Sequence, residues 1–261
     1  MTDTSEVEIP TVMLMSQSAT SMQATIYRAL GQLGVGLSPE HWCLIGGLMV
    51  EVVLASRGVA MTRPTNDGDV IGDVVGNRYA LRSLGRALEE LGFHHHPSGW
   101  KGDPTVRFRN PSGAVIDVLR PANTSKQRNV VGIVGRETTL EAPGTDFALT
   151  TATLLNVIYS PSDPPTTMRV PSLLGAMYAK ASAAKTLQPK DRPLKHLHDA
   201  AQLLAAARQD ELEDQSKAVA KRLIWLQQHL ADTEASGWDY VALDRRNDAV
   251  RRLNAACQTY R

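Results

Sequence analysis

The sequence has little of what marks a secreted protein or one that binds polyanions through its overall charge. Only two cysteines, Cys43 and Cys257, occur among 261 residues, and their separation matches no metal-ligand spacing, so a reduced, cytoplasmic environment is the simplest expectation. The formal net charge is only +1. Any binding to nucleic acid therefore has to involve a local basic patch, because proteins that bind nucleic acid through their overall charge usually have a larger excess of basic residues.

Long uninterrupted hydrophobic runs are also lacking. The longest apolar region, from Cys43 to Met61, is interrupted by Glu51 and Arg57, so it predicts a buried or amphipathic helix after a strand and not a membrane span. The first residues place no basic stretch ahead of an apolar one, and a secretory signal is not expected. Hydrophobic residues make up 43% of the chain and charged residues 21%, the balance of a globular protein with one large or two modest domains.

Composition and periodicity divide the chain into three parts. Residues 1–17 are polar and mixed, and they predict an N-terminal arm. Residues 18–165 mix helical and strand patterns, which predict a domain with a small mixed sheet and helices against it. The breaker cluster Ser160–Pro165 precedes a purely helical pattern, so residues 166–261 are expected to form a helical bundle. The fold class is therefore α+β. Helices are predicted near residues 18–33, 48–56, 78–91, 171–184, 193–206, 211–230 and 240–257.

Three carboxylates form the candidate chemical centre. Asp67 and Asp69 stand two residues apart on a predicted strand, so both can point to the same face. Asp117 lies inside the apolar run Ala114–Leu119, where an acid is costly unless it has a partner or a metal. Carboxylate oxygens are suitable ligands for Mg²⁺, and Mn²⁺ is a possible substitute.

A glycine pair upstream of these acids is the candidate phosphate site. Gly46 and Gly47 form a tight turn that opens a predicted helix, where backbone N–H groups and the helix dipole favour anions. A glycine turn beside two or three acids suits a magnesium-bound nucleoside triphosphate. The set therefore predicts a nucleotidyltransferase site.

The order of these motifs resembles the AbiEii-type nucleotidyltransferases of bacterial toxin–antitoxin systems, the MenT-like group included. The shared pattern is Gly46-Gly47, then a helix, then Arg-x-Thr-x-Asp-x-Asp over Arg63–Asp69, then the acid Asp117 in a later strand. In the helical half the similarity continues with Lys180 among small residues and with Asp199 after a basic residue. The resemblance spans roughly residues 44–204.

This resemblance implies a polymerase-β-like domain that moves a nucleotide from a nucleoside triphosphate onto a tRNA 3′ end and blocks translation. It also implies a cognate antitoxin protein; neither DNA nor a membrane is an expected partner. Lys180 would face the triphosphate, and Asp199 would orient Lys180 or contact the base. The implied metal ligands are Asp67, Asp69 and Asp117, the implied catalytic set adds Lys180 and Asp199, and the implied nucleotide-binding residues are Gly46, Gly47, Arg63, Thr65 and Lys180.

Two departures from the family pattern keep other functions open. Gly68 replaces the apolar residue usual between the paired acids and weakens the strand, and His196 stands where the family often has an acid. A catalytically inactive nucleotide-binding module and a small-molecule nucleotidyltransferase, such as one that adenylylates an antibiotic, are therefore the alternatives. A basic stretch favours an RNA acceptor over a small molecule; it consists of Lys180, Lys185, Lys190, Arg192 and Lys195.

Several of these residues also have plain structural interpretations. Asp67 could cap a hairpin turn at Asn66–Gly68, and Lys180 could be a surface lysine whose stem lies along the helix. Asp199 could be the i,i+4 partner of Lys195, and Arg63 could pair with an acid of the site. The run His94–His96 is not expected to bind one metal ion, because neighbouring strand residues point to opposite faces.

Overall fold

The computed structural model describes residues 8–14, 21–63, 65–96, 106–124, 139–186, 193–213 and 215–260. Within these ranges the chain combines two sheets with a largely helical C-terminal part, which confirms the α+β class with a small mixed sheet. No helix in the described ranges has both the length and the apolar character needed to cross a bilayer.

A six-stranded mixed sheet forms the centre of the N-terminal half. Five strands run in the order β2-β3-β6-β5-β4, and the short β7 pairs with the end of β6. The pairs β2/β3, β6/β5 and β5/β4 are antiparallel, whereas β3/β6 is parallel. The strands are β2 (Trp42–Ile45), β3 (Asp67–Gly72), β4 (His94–His96), β5 (Val106–Arg109), β6 (Val115–Pro121) and β7 (Glu141–Ala142).

A second, three-stranded sheet was not expected from the sequence. It consists of β1 (Thr11–Met13), β8 (Thr153–Ile158) and β9 (Thr166–Val170), with β8 in the middle. The described part of the predicted arm therefore contains an edge strand, because β1 pairs parallel with β8. The predicted boundary after residue 165 falls inside the β8–β9 hairpin. The breaker cluster Ser160–Pro165 is the connection of that hairpin and not a link between a sheet and a bundle.

The helices follow the apolar periodicity of the sequence, with two exceptions, the first of which is the short helix Thr145–Thr150, which was not predicted. The segment predicted as a single helix over residues 211–230 is two helices, α7 and α8, separated by a break that includes Glu213 and Ser216. The helices are α1 (Ser21–Gly36), α2 (Gly46–Ala55), α3 (Ala80–Glu90), α4 (Thr145–Thr150), α5 (Leu173–Thr186), α6 (Pro193–Ala206), α7 (Gln209–Leu212), α8 (Lys217–Leu230) and α9 (Leu243–Gln258).

Helices α1 and α3 cover one face of the six-stranded sheet. The residues that predicted α1, namely Ile26, Leu30 and Leu33, are completely buried. A Cβ atom added at Gly68 would lie 2.7 Å from Cγ2 of Ile26. The glycine between the paired acids therefore has a packing reason, since it lets α1 approach β3 closely and leaves that strand regular from Asp67 onwards.

Helix α2 connects the sheet to the helical half. It packs against β3 on one side and against α5 and α6 on the other. All of its residues from Gly47 to Leu54 are buried, including Glu51, whose carboxylate accepts hydrogen bonds from Gln23 and Tyr27. Because α2 begins at the paired acids of β3 and contacts α5 and α6 directly, it brings side chains from both halves of the chain to one place.

Candidate active site

The three predicted acids lie on one face of two neighbouring strands. Asp69 of β3 is directly opposite Asp117 of the parallel strand β6, and Asp67 is opposite Val115. Paired residues on neighbouring strands share a face, and so do residues two apart on one strand. Asp67 keeps 36% of its side chain exposed, whereas Asp117 keeps only 8%. The structure therefore brings together the three carboxylates that the sequence singled out.

The glycine pair lies against these acids. Gly46 has φ of +72° and begins α2, and a Cβ atom at this position would overlap the carboxylate of Asp69. A Cβ atom at Gly47 would overlap the side chain of Thr65. The hydroxyl of Thr65 in turn donates to Oδ1 of Asp67 at 3.0 Å. The turn is thus built from residues without side chains, and the N-terminus of α2 faces the carboxylate pair.

The surroundings shift the pKa values of Asp67 and Asp69, the two carboxyls of β3, in opposite directions. Burial, followed by the negative charges of Asp67 and Asp117, raises the pKa of Asp69 to about 7. Burial also acts on Asp67, but the positive charge of Lys195, the Thr65 hydroxyl and Lys180 outweigh it and lower the pKa of that carboxyl. A site that already opposes ionisation of one carboxyl through its neighbours gains most from an added cation.

Asp117 has a partner that the sequence interpretation missed. Arg107 of β5 stands directly opposite it in the antiparallel register, and the guanidinium donates from Nε and Nη2 to the two carboxylate oxygens, both at 2.8 Å. This pairing raises the pKa of Arg107. The sequence signal alone does not give this pair, because a turn over Asn110–Gly113 would place residue 107 opposite residue 116. The connection also includes Ala114, whose carbonyl accepts from the Asn110 N–H, and this shifts the register by one residue.

The carboxylates fit Mg²⁺ in part as they stand. Oxygen donors from Asp67 and Asp69 are the ligand type that this ion prefers, and the charge repulsion at Asp69 is a reason for a cation to bind. Over the described ranges, however, no group of three or more His, Cys, Asp or Glu side chains has the spacing of a metal site. Both oxygens of Asp117 already accept hydrogen bonds from Arg107, so as a third ligand Asp117 would bind an ion in competition with that pairing.

A buried ion-pair cluster adjoins the acids from the helical half. Nζ of Lys180 on α5 lies 2.7 Å from Oδ2 of Asp199 on α6, and Nε of Arg63 donates to Oδ1 of the same residue at 2.7 Å. The Asp199 side chain is completely buried, and those of Lys180 and Arg63 are only 5% and 10% exposed. Despite burial, the two cations lower the pKa of Asp199. The interpretation of Lys180 as a surface lysine is therefore wrong, because it is buried and paired with Asp199.

Lys195 pairs with an acid other than the one its spacing suggested. Its Nζ lies 3.6 Å from Oδ2 of Asp67, so the interpretation of Asp199 as its helical i,i+4 partner is wrong. His196, the next residue, lies between the two clusters: burial and then Lys180 lower its pKa to about 4. Its Nδ1 is buried and has no hydrogen-bond partner among the described residues.

The remaining sequence candidates divide clearly. Lys185 is exposed at the end of α5, whereas Lys190 and Arg192 of the predicted basic stretch lie outside the described residues. His94–His96 form strand β4 and alternate between faces, as expected. His198 points away from the acids, since its Nε2 lies 2.8 Å from the carbonyl of Ser236.

The comparison with solved structures found one match. A nucleotidyltransferase-like antigenic protein of Paracoccidioides brasiliensis, known from its crystal structure, superposes with a TM-score of 0.47 at 16% sequence identity, over 90% of this chain and 92% of that one. No protein-family model matches the sequence, and no curated protein matches it either.

Proposed function

We propose that the protein is a Mg²⁺-dependent nucleotidyltransferase toxin, similar to the AbiEii and MenT-like enzymes, that adds a nucleotide to a tRNA 3′ end and blocks translation. One observation carries the proposal. Asp69 and Asp117 are side by side on paired strands, with Asp67 on the same face and the glycine turn of α2 directly against Asp69. The reaction needs a site for a cation and a site for an anion close together. The acids provide the first, and the helix N-terminus provides the second.

The acids would provide the metal side of this chemistry. Asp67 and Asp69 would hold Mg²⁺, or Mn²⁺ in its place, and Asp117 would join them after exchanging Arg107 for the ion. The bound ion neutralises charge on the triphosphate and makes the acceptor hydroxyl more acidic. Asp117, the only one of the three on β6, would take the proton of that hydroxyl.

The glycine turn and the lysines would provide the phosphate side. Backbone N–H groups at Gly46 and Gly47 would bind the triphosphate at the positive end of the α2 dipole. The hydroxyl oxygen bonds to the α-phosphorus, the bond from that phosphorus to the bridging oxygen breaks, and pyrophosphate leaves with the electron pair. Lys180 and Lys195 would stabilise the charge that develops on this leaving group. Asp199 holds the Lys180 ammonium in place, and the ammonium does not have to be reoriented during the reaction.

The RNA acceptor and the toxin role rest on the family resemblance and on cations near the acids. Lys195 at Asp67 and the exposed Lys185 at the end of α5 both lie on the helical side of the site. Cations of this kind bind phosphate without reading sequence. A cognate antitoxin would be needed by a cell that makes such an enzyme.

Controlled expression in a bacterial host, followed by sequencing of tRNA 3′ ends, tests this proposal. We expect growth to stop and extra nucleotides to appear on tRNA. Both effects should vanish in Asp67→Asn/Asp69→Asn, which keeps side-chain shape. They should persist in Asp210→Asn, which removes an exposed carboxylate that pairs with the exposed Arg208. Growth arrest with unchanged tRNA ends would contradict the acceptor, and drug resistance without growth arrest would favour a small-molecule acceptor.

A further inference from the structure

We propose that the sheet face beyond the acids, formed by β5 and β4, binds the backbone of the acceptor's single-stranded 3′ segment. The inference deepens the proposed function, on which it rests, by naming the surface that recognises the RNA. This surface, called the acceptor track below, consists of Arg107, Arg109, His94 and His96.

Strand register places the acceptor track on the same face as the acids. Arg107 stands between Asp117 of β6 and His96 of β4, so one row of paired residues crosses four strands from Asp69 to His96. In the next row, Arg109 is opposite both Val115 of β6 and His94 of β4. Since directly paired residues share a face, the cations continue the surface that begins with the carboxylates.

The two faces of these strands differ sharply in burial. On the other face, Phe108, Ile116 and Val118 are completely buried under α1 and α3. On the acceptor track, Arg109, His94 and His96 are exposed, and Arg107 keeps 41% of its side chain exposed. A strand pair that is apolar on one side and carries arginine and histidine on the other is organised for a polar partner.

The chemistry of the acceptor track fits a nucleic-acid end better than a protein or a small molecule. Arginine guanidinium groups bind phosphates with paired hydrogen bonds. Bases of single-stranded RNA stack on histidine rings and on guanidinium planes. Neighbouring strands are about 4.8 Å apart, so the row from Asp69 to His96 spans about 14 Å, enough for roughly four stacked nucleotides at about 3.4 Å each.

The location of the acceptor track also gives the acceptor a direction. The track begins at Arg107, beside Asp117, where the attacking hydroxyl is activated under the proposed function. It ends at the sheet edge formed by β4. A strand lying along it would bring its terminal 3′-hydroxyl to the acids while its 5′ side leaves over the edge. The remainder of the RNA would then lie outside the sheet.

Binding of an RNA that cannot react tests the inference separately from catalysis. The probe is a fluorescent single-stranded RNA with a 3′-deoxy end, titrated at several salt concentrations. Arg109→Ser removes a cation of the acceptor track that makes no contact with the acids, and Arg86→Ser is the matched control because Arg86 is exposed on α3, behind the sheet. Each phosphate contact on a single strand contributes a salt slope of about 0.7, so losing one weakens binding about fivefold at about 0.1 M salt.

We expect Arg109→Ser to lose about fivefold in RNA affinity and about 0.7 in salt slope, with Arg86→Ser unchanged. Equal effects of both substitutions, or no effect of Arg109→Ser while Lys185→Ser weakens binding, would overturn the inference. Binding of a fluorescent nucleoside triphosphate with Mn²⁺ is measured in parallel. If the wild-type protein does not bind the nucleoside triphosphate, the proposed function is contradicted. If it binds the nucleotide but Arg109→Ser leaves the RNA affinity unchanged, only the acceptor track is contradicted.

Discussion

The buried cluster of Asp199, Lys180 and Arg63 makes the most stringent prediction about stability. Asp199→Asn removes a buried negative charge that pairs with two cations, Lys180 and Arg63, whose side chains are 5% and 10% exposed. Breaking a buried ion pair from one side costs about 3–5 kcal/mol, because the remaining charge stays buried without its partner. That is a large share of the roughly 5–15 kcal/mol by which a domain is stable.

Urea unfolding at pH 7 measures this cost directly as a change in midpoint at constant slope. Asp248→Asn is the matched control, because Asp248 pairs with Arg251 at 2.9 Å but with side chains 56% and 78% exposed. Its loss should cost at most about 1 kcal/mol. Lys180→Met is expected to cost less than Asp199→Asn, since Asp199 keeps Arg63, and the double variant should cost less than the two single changes together. A loss below about 1 kcal/mol in Asp199→Asn, or simple additivity, would refute the reasoning.

Three further predictions concern the glycine turn, the metal and pH. Gly46→Ala should abolish nucleotide binding in a titration and lower the melting temperature, because its Cβ overlaps Asp69 and its φ is +72°; wild-type binding would contradict the turn's role. Arg107→Gln should tighten the binding of Mn²⁺ in the absence of nucleotide about fivefold. The ion then no longer competes with the Arg107–Asp117 ion pair, which contributes about 1 kcal/mol because Arg107 is 41% exposed. Mn²⁺ binding is measured by electron paramagnetic resonance, and equal or weaker binding in the variant would contradict the prediction. Because the pKa of His196 is lowered to about 4 from 6.5, its own contribution to stability should fall by up to about 3 kcal/mol as pH drops from about 6.5 towards about 4. Asp69, whose pKa is raised to about 7, contributes in the opposite direction over this window, so the measured quantity is the difference between wild type and His196→Gln in urea unfolding; a difference that does not change with pH would contradict the prediction.

Helices and strands whose apolar or polar residues repeat regularly along the chain were predicted from the sequence. The spacing of Ile26, Leu30 and Leu33 predicts α1, and the structure buries all three. The period of two between Asp67 and Asp69 predicts a shared face, and the strand register agrees. These predictions succeed because helix and strand periods are properties of the backbone and do not depend on distant residues.

The second sheet was missed because its signals are short or conflict with stronger ones. β1 has only three residues, too few to show alternation. β8 and β9 flank the Ser160–Pro165 cluster, whose prolines indicate only that regular structure is interrupted. The same signal is expected at a domain boundary and at the turn of a hairpin. The two cases differ in whether the segments on either side pair as strands, and strand pairing cannot be read from a local pattern.

The site was predicted as a set of residues but not as a set of contacts. Lys180 and Asp199 meet across two helices, and the sequence alone offered Lys195 as the nearer partner for Asp199. From the sequence, Gly68 predicts a weak point in the strand, whereas in the structure it lies under Ile26 of α1. Arg107 pairs with Asp117 because the hairpin connection includes Ala114, and the turn signal at Asn110–Gly113 would instead have placed it opposite Ile116.

Transfer of label from each of the four α-labelled nucleoside triphosphates onto total tRNA, with Mg²⁺, tests the central claim most directly. We predict label on tRNA from at least one triphosphate, release of pyrophosphate, and loss of both in Asp67→Asn/Asp69→Asn but not in Asp210→Asn. No label on tRNA from any triphosphate, or label that persists without the two β3 carboxylates, would contradict the account.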